Sequence, residues 1–261
     1  QANYISCFDA TAGFWQLKMH EASAWLTGFA THSGLFEWLR CPFGLKNICA
    51  KFVRMMQIVL GPISDCAAAY VDDTGVHSQN WQQHLRDLVA FLTVMRNANL
   101  TLKLKKASFA NQEIKMVGHY VGSGTHRPDP EKLTVIQNLA RPETKTEVRR
   151  LLGMFGYYRT YIDGFARLAK PLTDLTGKDM PSKLIWGDDQ QRAFDRLRQA
   201  MCTTPILCAP RFGKPFFLQT DACGVAVGCC LGQWDDEQNE HPVAFASQKL
   251  SSTQCAWATI E

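Results

Sequence analysis

The sequence predicts an α+β fold, and three observations predict it. Between Tyr4 and His126, short apolar runs alternate with helix-like ones. After the breaker Arg127-Pro-Asp-Pro130 the periodicity becomes helical, and beyond Pro205 strand-like runs return. Composition sets the frame: 261 residues with 46% hydrophobic and 20% charged residues describe a soluble globular chain long enough for one large or two ordinary domains. Disordered and fibrous classes are excluded. No apolar run approaches the roughly 18 residues that span a bilayer, and the first twenty residues lack the pattern of a signal peptide, so an intracellular protein without a membrane partner is expected.

Each element has its own warrant. Tyr4-Ile-Ser-Cys-Phe-Asp9 is an apolar strand ending in an acid. Phe29 to Phe36 reads as two strand pieces about a Ser33-Gly34 turn, and Asn47 to Gly61 carries Ile48, Phe52, Met55, Met56 and Val59 at helical spacing. Ala67 to His77 is strand-like but interrupted by Asp72-Asp73 and Gly75, which makes it a hairpin with acids at its tip. Gln82 to Asn97 is an amphipathic helix with Leu85, Leu88, Val89, Leu92 and Met95 on its apolar face. The basic run Lys103 to Lys106 reads as a strand, followed by Lys115 to Val121. Behind Pro142, Thr144 and Glu147 have capping-box spacing, and the helix they open buries Val148, Leu151, Leu152, Phe155 and Tyr158. A linker over Gly177 to Lys183 leads to a helix from Gln190 to Cys202. Three strands then follow, Phe216 to Thr220, Val225 to Gln233 and Pro242 to Ser247, the start of a further domain.

Charge and cysteine usage narrow the function classes. The chain carries a net charge of +4, but Lys103 to Lys170 holds 13 basic and 6 acidic residues, a local +7. Such a stretch is either a solvated face or a surface that neutralises phosphates. The ten cysteines show no C-x-x-C pair and no zinc spacing, and they read as reduced, mostly buried thiols.

Three acid pairs occur, at 72-73, 188-189 and 235-236. The last two sit in polar surroundings as turn or helix N-terminal residues. Asp72-Asp73 instead follows Ala-Ala-Ala-Tyr-Val, where burying carboxylates costs several kcal/mol unless a cation is near. The alternative is that both acids cap an exposed hairpin tip. With Asp9 at the end of another strand, the acids could hold two magnesium ions and support phosphoryl transfer, as a polymerase or nuclease does. In the later helix, Arg149, Gly153 and Tyr157 align at i, i+4 and i+8, and an exposed helical glycine costs about 1 kcal/mol relative to alanine. Either a partner's backbone approaches it or it packs tightly on a neighbouring helix.

Three motifs, Phe8-Asp-Ala-Thr-Ala-Gly-Phe-Trp-Gln16, Cys41-Pro-Phe-Gly-Leu-Lys-Asn47 and Tyr70-Val-Asp-Asp73, closely resemble the reverse transcriptase of gypsy-type LTR retrotransposons. The resemblance continues through Leu102 to Lys106, Val117-Gly-His119, Arg127 to Lys132, Leu151-Leu-Gly153, Gly156-Tyr-Tyr-Arg159, Pro171 to Leu175, Thr220-Asp-Ala222 and Ala246 to Leu250. It implies a polymerase palm with residual fingers over 1–122, a helical thumb and connection over 123–182, and an RNase H-like α/β domain, truncated, over 183–261. Implied with it is RNA-directed DNA synthesis from dNTPs on a primed RNA or DNA template, with two magnesium ions, or manganese in their place. The partners would include the protease and integrase of the same Pol polyprotein, in a cytoplasmic particle or the nucleus.

By the same resemblance, Asp9, Asp72 and Asp73 are the metal-binding carboxylates and Phe14 is the sugar gate that excludes a 2′-hydroxyl. Phe43, Gly44 and Leu45 line the nucleotide and template side, and Lys106 stands near the incoming triphosphate. Val117, Gly118 and His119 grip the primer end, while Arg149, Gly153 and Tyr157 track the minor groove. Asp221 is the first carboxylate of the RNase H set, and Glu261 is not the second, which would fall two residues later. Ile48-Cys49 departs from the family pattern without removing a ligand. Because the chain starts at Gln1 just before the first acid, it is expected to be a piece of a longer protein, weak or inactive alone. A remnant that only binds nucleic acid is the alternative; a stand-alone nuclease is disfavoured, with only Asp221 of that acid set present.

Overall fold

The computed structural model describes residues 2–177, 180–181, 183–203 and 206–257, and the chain divides into two compact units, Gln1–Met116 and Val117–Glu261. The first unit is built on β1 (Tyr4–Asp9), followed by a 3-10 turn over Gly13–Gln16, α1 (Glu21–Ala24), and the hairpin β2 (Phe29–Thr31) and β3 (Gly34–Phe36). Then come α2 (Ile48–Leu60), β4 (Ala67–Tyr70), β5 (Asp73–Ser78), α3 (Trp81–Asn97), β6 (Ser108–Asn111) and β7 (Glu113–Met116). The main sheet has the order β4-β5-β1-β6 with antiparallel neighbours. Its core is Phe8 from β1, Phe52, Met56 and Leu60 at four-residue spacing on α2, Ala67 and Val76 from the hairpin, and Phe91 and Met95 from α3. Phe8 meets Phe91 at 4.8 Å between ring centroids, a contact that ties the central strand to the helix under it.

Helix α3 departs from its apolar pattern. It buries His84, Asp87, Phe91 and Met95, while Leu85, Val89 and Leu92 face solvent. The polar pair is buried because it is fully partnered. His84 Nε2 bonds Ser6 Oγ at 2.8 Å and its Nδ1 bonds Ser78 Oγ at 2.9 Å, while Ser78 and Gln83 donate to the two Asp87 oxygens. Burial pushes the His84 pKa down, so the ring serves as a neutral link between two strand hydroxyls. The run Lys103 to Lys106 is likewise not a strand: Leu104–Lys106 is a 3-10 turn, which frees the lysines from a sheet ladder. The Lys115 to Val121 run is interrupted at Val117 and Gly118, both at positive φ. Of the ten cysteines only Cys41 is buried, and Cys49, Cys202, Cys223 and Cys255 are exposed on element surfaces, contrary to the expectation of mostly buried thiols; all are free.

The second unit begins with β8 (His119–Gly122) and β9 (Thr125–Pro128). Asp129 caps α4 (Pro130–Gln137), its side chain accepting from the Glu131 N–H with Pro130 at the first position. Thr144 caps α5 (Lys145–Tyr157) by accepting from the Glu147 N–H, and the Glu147 carboxylate takes the N–H of Glu143. A 3-10 turn over Arg159–Tyr161, α6 (Phe165–Asp174) and α7 (Asp188–Cys202) complete the helical part. The last elements are β10 (Leu207–Cys208), which pairs with β9, then β11 (Phe217–Cys223), β12 (Ala226–Trp234), β13 (Glu240–Lys249) and α8 (Ser252–Cys255). Strands β11, β12 and β13 form one antiparallel sheet. A single core runs through this unit: Val148, Leu151 and Phe155 of α5 pack with Leu172 of α6, Phe194 and Leu197 of α7 and Leu207, and Phe245 of β13 covers it.

Candidate active site

The site in the first unit is made by register. Antiparallel pairing of β1 with β5 sets Asp9 directly opposite Asp73, and pairing of β4 with β5 sets Tyr70 opposite Asp73, which leaves Val71 and Asp72 as the hairpin turn. Val71 stands at φ 56°, a left-handed conformation that costs a β-branched residue about 1–3 kcal/mol. The turn is tied to the end of β1 by a hydrogen bond of 3.0 Å from the Ala10 N–H to the Asp72 carbonyl. The strand end is fixed again by Lys103 N–H donating to the Asp9 carbonyl at 2.8 Å. Asp72 is exposed in the turn and Asp73 is half-buried in the ladder, so the two neighbours have distinct surroundings.

The electrostatics are those of a site short of positive charge. Burial, and then repulsion from Asp72 and Asp9, raises the Asp73 pKa, with Lys106 opposing. Lys106 Nζ lies 2.9 Å from Asp9 Oδ2, and that hydrogen bond raises the lysine's own pKa. Among the described residues no three Asp, Glu, His or Cys side chains are gathered as a metal cluster, and the cation on Asp9 is Lys106. Three carboxylates within electrostatic reach of one another and of a single ammonium leave two negative charges uncompensated. Hard oxygen donors with excess negative charge are the donor set that a divalent magnesium or manganese ion takes, so the residues present fit such an ion.

Beside the acids lies an aromatic wall. A Cβ on Gly13 would stand 3.4 Å from the Phe52 ring and 3.5 Å from Asp72 Cβ, ordinary contact distances that place the 3-10 turn directly against the acid hairpin. The next residue, Phe14, rests edge-on against buried Phe52 at 5.6 Å and meets Phe43 at 5.2 Å. Phe43 is 64% exposed and Gly44 has φ 98°, which only glycine adopts readily. Phe43 and Leu45 line a cavity of about 340 Å³ with Trp15 and Trp38. Gln16, to which no role was assigned from sequence, holds this corner: its Nε2 donates to the carbonyls of Thr11 and Thr101 and its Oε1 accepts the Thr101 N–H. A lone amide in a motif gives no sequence signal for such a clamp.

In the second unit, Val117, Gly118 and His119 form the turn into β8, with Val117 at φ 48° and Gly118 at φ 73°. Tyr157 donates its hydroxyl to the Val117 carbonyl and Tyr158 donates to the Gly118 carbonyl at 3.4 Å. Arg149, Gly153 and Tyr157 share one exposed face of α5, as their spacing requires. A Cβ built on Gly153 meets nothing within 4 Å, so the glycine is not explained by tight packing on another helix. Arg149 donates to the Thr176 carbonyl at 3.1 Å.

Asp221 lies on exposed β11 opposite Gly228. It lines a cavity of about 370 Å³ together with Asp163, Arg167 and Ser247. Glu261 lies outside the described residues.

Residues 1–121 match the family model of reverse transcriptase (RNA-dependent DNA polymerase), and residues 186–261 match the RNase H-like domain found in reverse transcriptase. The Pol polyprotein from transposon opus of Drosophila melanogaster is 35% identical over the whole chain, and that from transposon gypsy of the same fly is 30% identical. The Tf2-3 polyprotein of Schizosaccharomyces pombe is 28% identical over 97% of the chain. The chain spans 27%, 26% and 19% of these relatives' lengths, so it corresponds to one part of each. In fold it is similar to the foamy viral protease-reverse transcriptase in complex with double-stranded DNA, at TM-score 0.89 and 23% identity, covering all of this chain and 45% of that one. The same viral protein in complex with an RNA/DNA hybrid gives TM-score 0.87 over 99% of this chain and 35% of that one. An acid-tipped antiparallel sheet, a helical segment and a following three-stranded sheet thus come with matching sequence along the chain, which belongs to the reverse transcriptases of retrotransposon Pol polyproteins.

Proposed function

We propose that the chain is the part of an RNA-directed DNA polymerase that holds the catalytic acids, followed by the start of its RNase H-like domain. The observation that carries this reading is the β1–β5 register that sets Asp9 opposite Asp73 with Asp72 in the adjoining turn. The proposed division is a palm with residual fingers over 1–122, a thumb and connection over 123–182 and an RNase H-like domain over 183–261. A duplex of template and primer is the proposed partner, in keeping with the nucleic acids in the complexes of similar fold.

Asp9, Asp72 and Asp73 would hold divalent cations, which when bound supply charge neutralisation for the attacking hydroxyl and the leaving pyrophosphate. The remaining work falls to this chain's own side chains. Phe14, braced by Phe52, presents an aromatic ring beside the acids, where a deoxyribose would stack and a 2′-hydroxyl would collide. Phe43 and Gly44 form the exposed border on which the nucleotide base and template would rest. Lys106, exposed and bonded to Asp9 by a single contact, can exchange that carboxylate for a triphosphate oxygen once the acid has another cation. Asp221 would serve the RNase H-like part as one carboxylate of its set.

The test is single-nucleotide addition to a primed template, with protein in excess so that slow addition is detected. Divalent-cation-dependent addition by the chain, lowered about 10³-fold or more in Asp72→Asn, is expected for loss of a group that positions transition-state charge. Equal addition by the variant would refute the assignment, and tight binding without any addition would support a binding remnant instead.

A further inference from the structure

The 3-10 turn that carries Phe14 is tied to a distant segment by one side chain. The turn opens at Ala12, whose φ of 49° and ψ of 47° are left-handed, a conformation that a residue with a Cβ keeps only where its surroundings enforce it. Trp15 N–H donates to the Ala12 carbonyl at 2.8 Å and Leu17 N–H to the Phe14 carbonyl at 3.0 Å. Gln16 adds the long-range tie. Its Nε2 donates to the Thr11 carbonyl at 2.7 Å and to the Thr101 carbonyl at 3.0 Å, and its Oε1 accepts the Thr101 N–H at 2.7 Å. Its own main chain is held as well, because Arg40 Nη1 donates to the Gln16 carbonyl at 3.1 Å.

The partners fix the orientation of the amide. A flipped amide would set Oε1 against two carbonyl oxygens and an N–H against an N–H. Both N–H groups of the Gln16 amide are spent within the chain, so the side chain acts as a brace. What it braces is set by the neighbours of Thr101. Thr11 N–H donates to the same Thr101 carbonyl at 3.0 Å, Ala10 bridges Leu102, and Lys103 N–H reaches the Asp9 carbonyl at 2.8 Å. The stretch 9–11 that leaves β1 thus runs antiparallel to 101–103, and Gln16 closes this short ladder beyond Thr11 as an added strand residue would. The same segment leads on to Lys106, the cation on Asp9. One amide therefore joins the turn of Phe14, the end of the Asp9 strand and the approach to Lys106, across 85 positions of sequence.

We propose that Gln16 is a positioning residue that sets sugar specificity: by fixing the turn it holds the Phe14 ring in place beside Asp9 and Asp72. The proposal rests on the polymerase reading for the identity of the nucleotide, whereas the clamp itself is a property of the first unit. Phe52 braces the Phe14 ring edge-on, but an apolar ring contact tolerates sliding. The hydrogen bonds of Gln16 to main-chain groups are directional and do not. Loss of the clamp leaves the aromatic wall standing while freeing the backbone that aims it, and a 2′-hydroxyl gains room.

The test uses the whole chain and Gln16→Met, which keeps the length and the apolar stem and removes the amide. The Thr101 carbonyl retains the Thr11 N–H, and the freed groups lie where water can reach them, so the variant keeps the fold. In single-nucleotide addition with paired dNTP and rNTP substrates, discrimination against the ribonucleotide should fall about fivefold, the scale on which a lost neutral hydrogen bond acts. A loss of folded protein lowers both rates alike and leaves their ratio unchanged, so the ratio separates positioning from stability. In the Phe14→Val background, where the gate is already open, Gln16→Met should change the ratio no further, a coupling that the double-mutant cycle reads. Gln16→Glu keeps an acceptor for the Thr101 N–H but sets a carboxylate against two carbonyls, and it should relax the ratio as methionine does. Amide hydrogen exchange judges the clamp without catalysis: the Thr101 N–H should be protected in the parent and exchange faster in Gln16→Met. An unchanged ratio in both single variants, additive effects in the cycle, or an unprotected Thr101 N–H in the parent overturns the proposal. A parent chain that adds no nucleotide although its Thr101 N–H is protected overturns the polymerase reading, and the sugar role falls with it.

Discussion

Asp73 shows how a single carboxylate can be poor for stability and suited to a site. It holds its proton more readily in the folded chain, because burial, Asp72 and Asp9 all oppose its charge. Its ionised form therefore opposes folding, and the stability it contributes falls as pH rises through its raised folded value. Asp73→Asn should raise the Tm of the metal-free chain at pH 7. The same variant should show a smaller gain in Tm on adding manganese than the parent does; thermal scans with and without the ion measure both effects. Phe14 belongs to the same scale. Phe14→Val keeps an apolar contact to Phe52 but opens the space beside the acids, so ribonucleotide use should rise by about tenfold or more while dNTP use is largely kept. Single-nucleotide kinetics with paired dNTP and rNTP substrates check it, and unchanged discrimination would refute a gating role.

Among the elements, α5 offers a prediction in which stability and binding move in opposite directions. Gly153 sits in open space on an exposed helical face, so Gly153→Ala should stabilise the helix by up to about 1 kcal/mol. If that face receives the backbone of a nucleic acid, the added methyl weakens duplex binding even as Tm rises. Titration of a labelled primer-template, set against a thermal melt, checks the pair; stronger binding or a fall in Tm would contradict it. The elements also show where sequence patterns mislead. Of the apolar stripe Leu85, Leu88, Val89, Leu92 and Met95 on α3, Leu88 and Met95 pack on the core, while Leu85, Val89 and Leu92 face solvent and the helix turns His84 and Asp87 inward. Periodicity counts only apolar residues, and it cannot see that Ser6 and Ser78, distant in sequence, satisfy this buried pair. The 3-10 turn at Leu104–Lys106 is equally hidden from pattern, since a basic run with one leucine carries no signal for it. By contrast the acid-tipped hairpin was legible because Asp72-Asp73 breaks an apolar strand, and the α5 start because Thr144 and Glu147 are a local signal.

For the whole molecule, local sequence could announce the acids but not their mutual register. Asp9 and Asp73 are 64 positions apart in the chain and meet only because β1 lies beside β5 in the sheet, a long-range pairing that no window reveals. The Asp9–Lys106 ion pair was invisible for the same reason. The central claim is the proposal that the acids at the ends of β1 and of the β4–β5 hairpin hold divalent cations, with Lys106 paired to Asp9 at their edge. The most direct measurement is anomalous diffraction from crystals of the chain with primer-template, dNTP and manganese. Manganese peaks against Asp9 and Asp72, with the Lys106 ammonium moved off Asp9, are the expected result. Saturating manganese that leaves no peak at these acids and Lys106 still on Asp9 would contradict the claim.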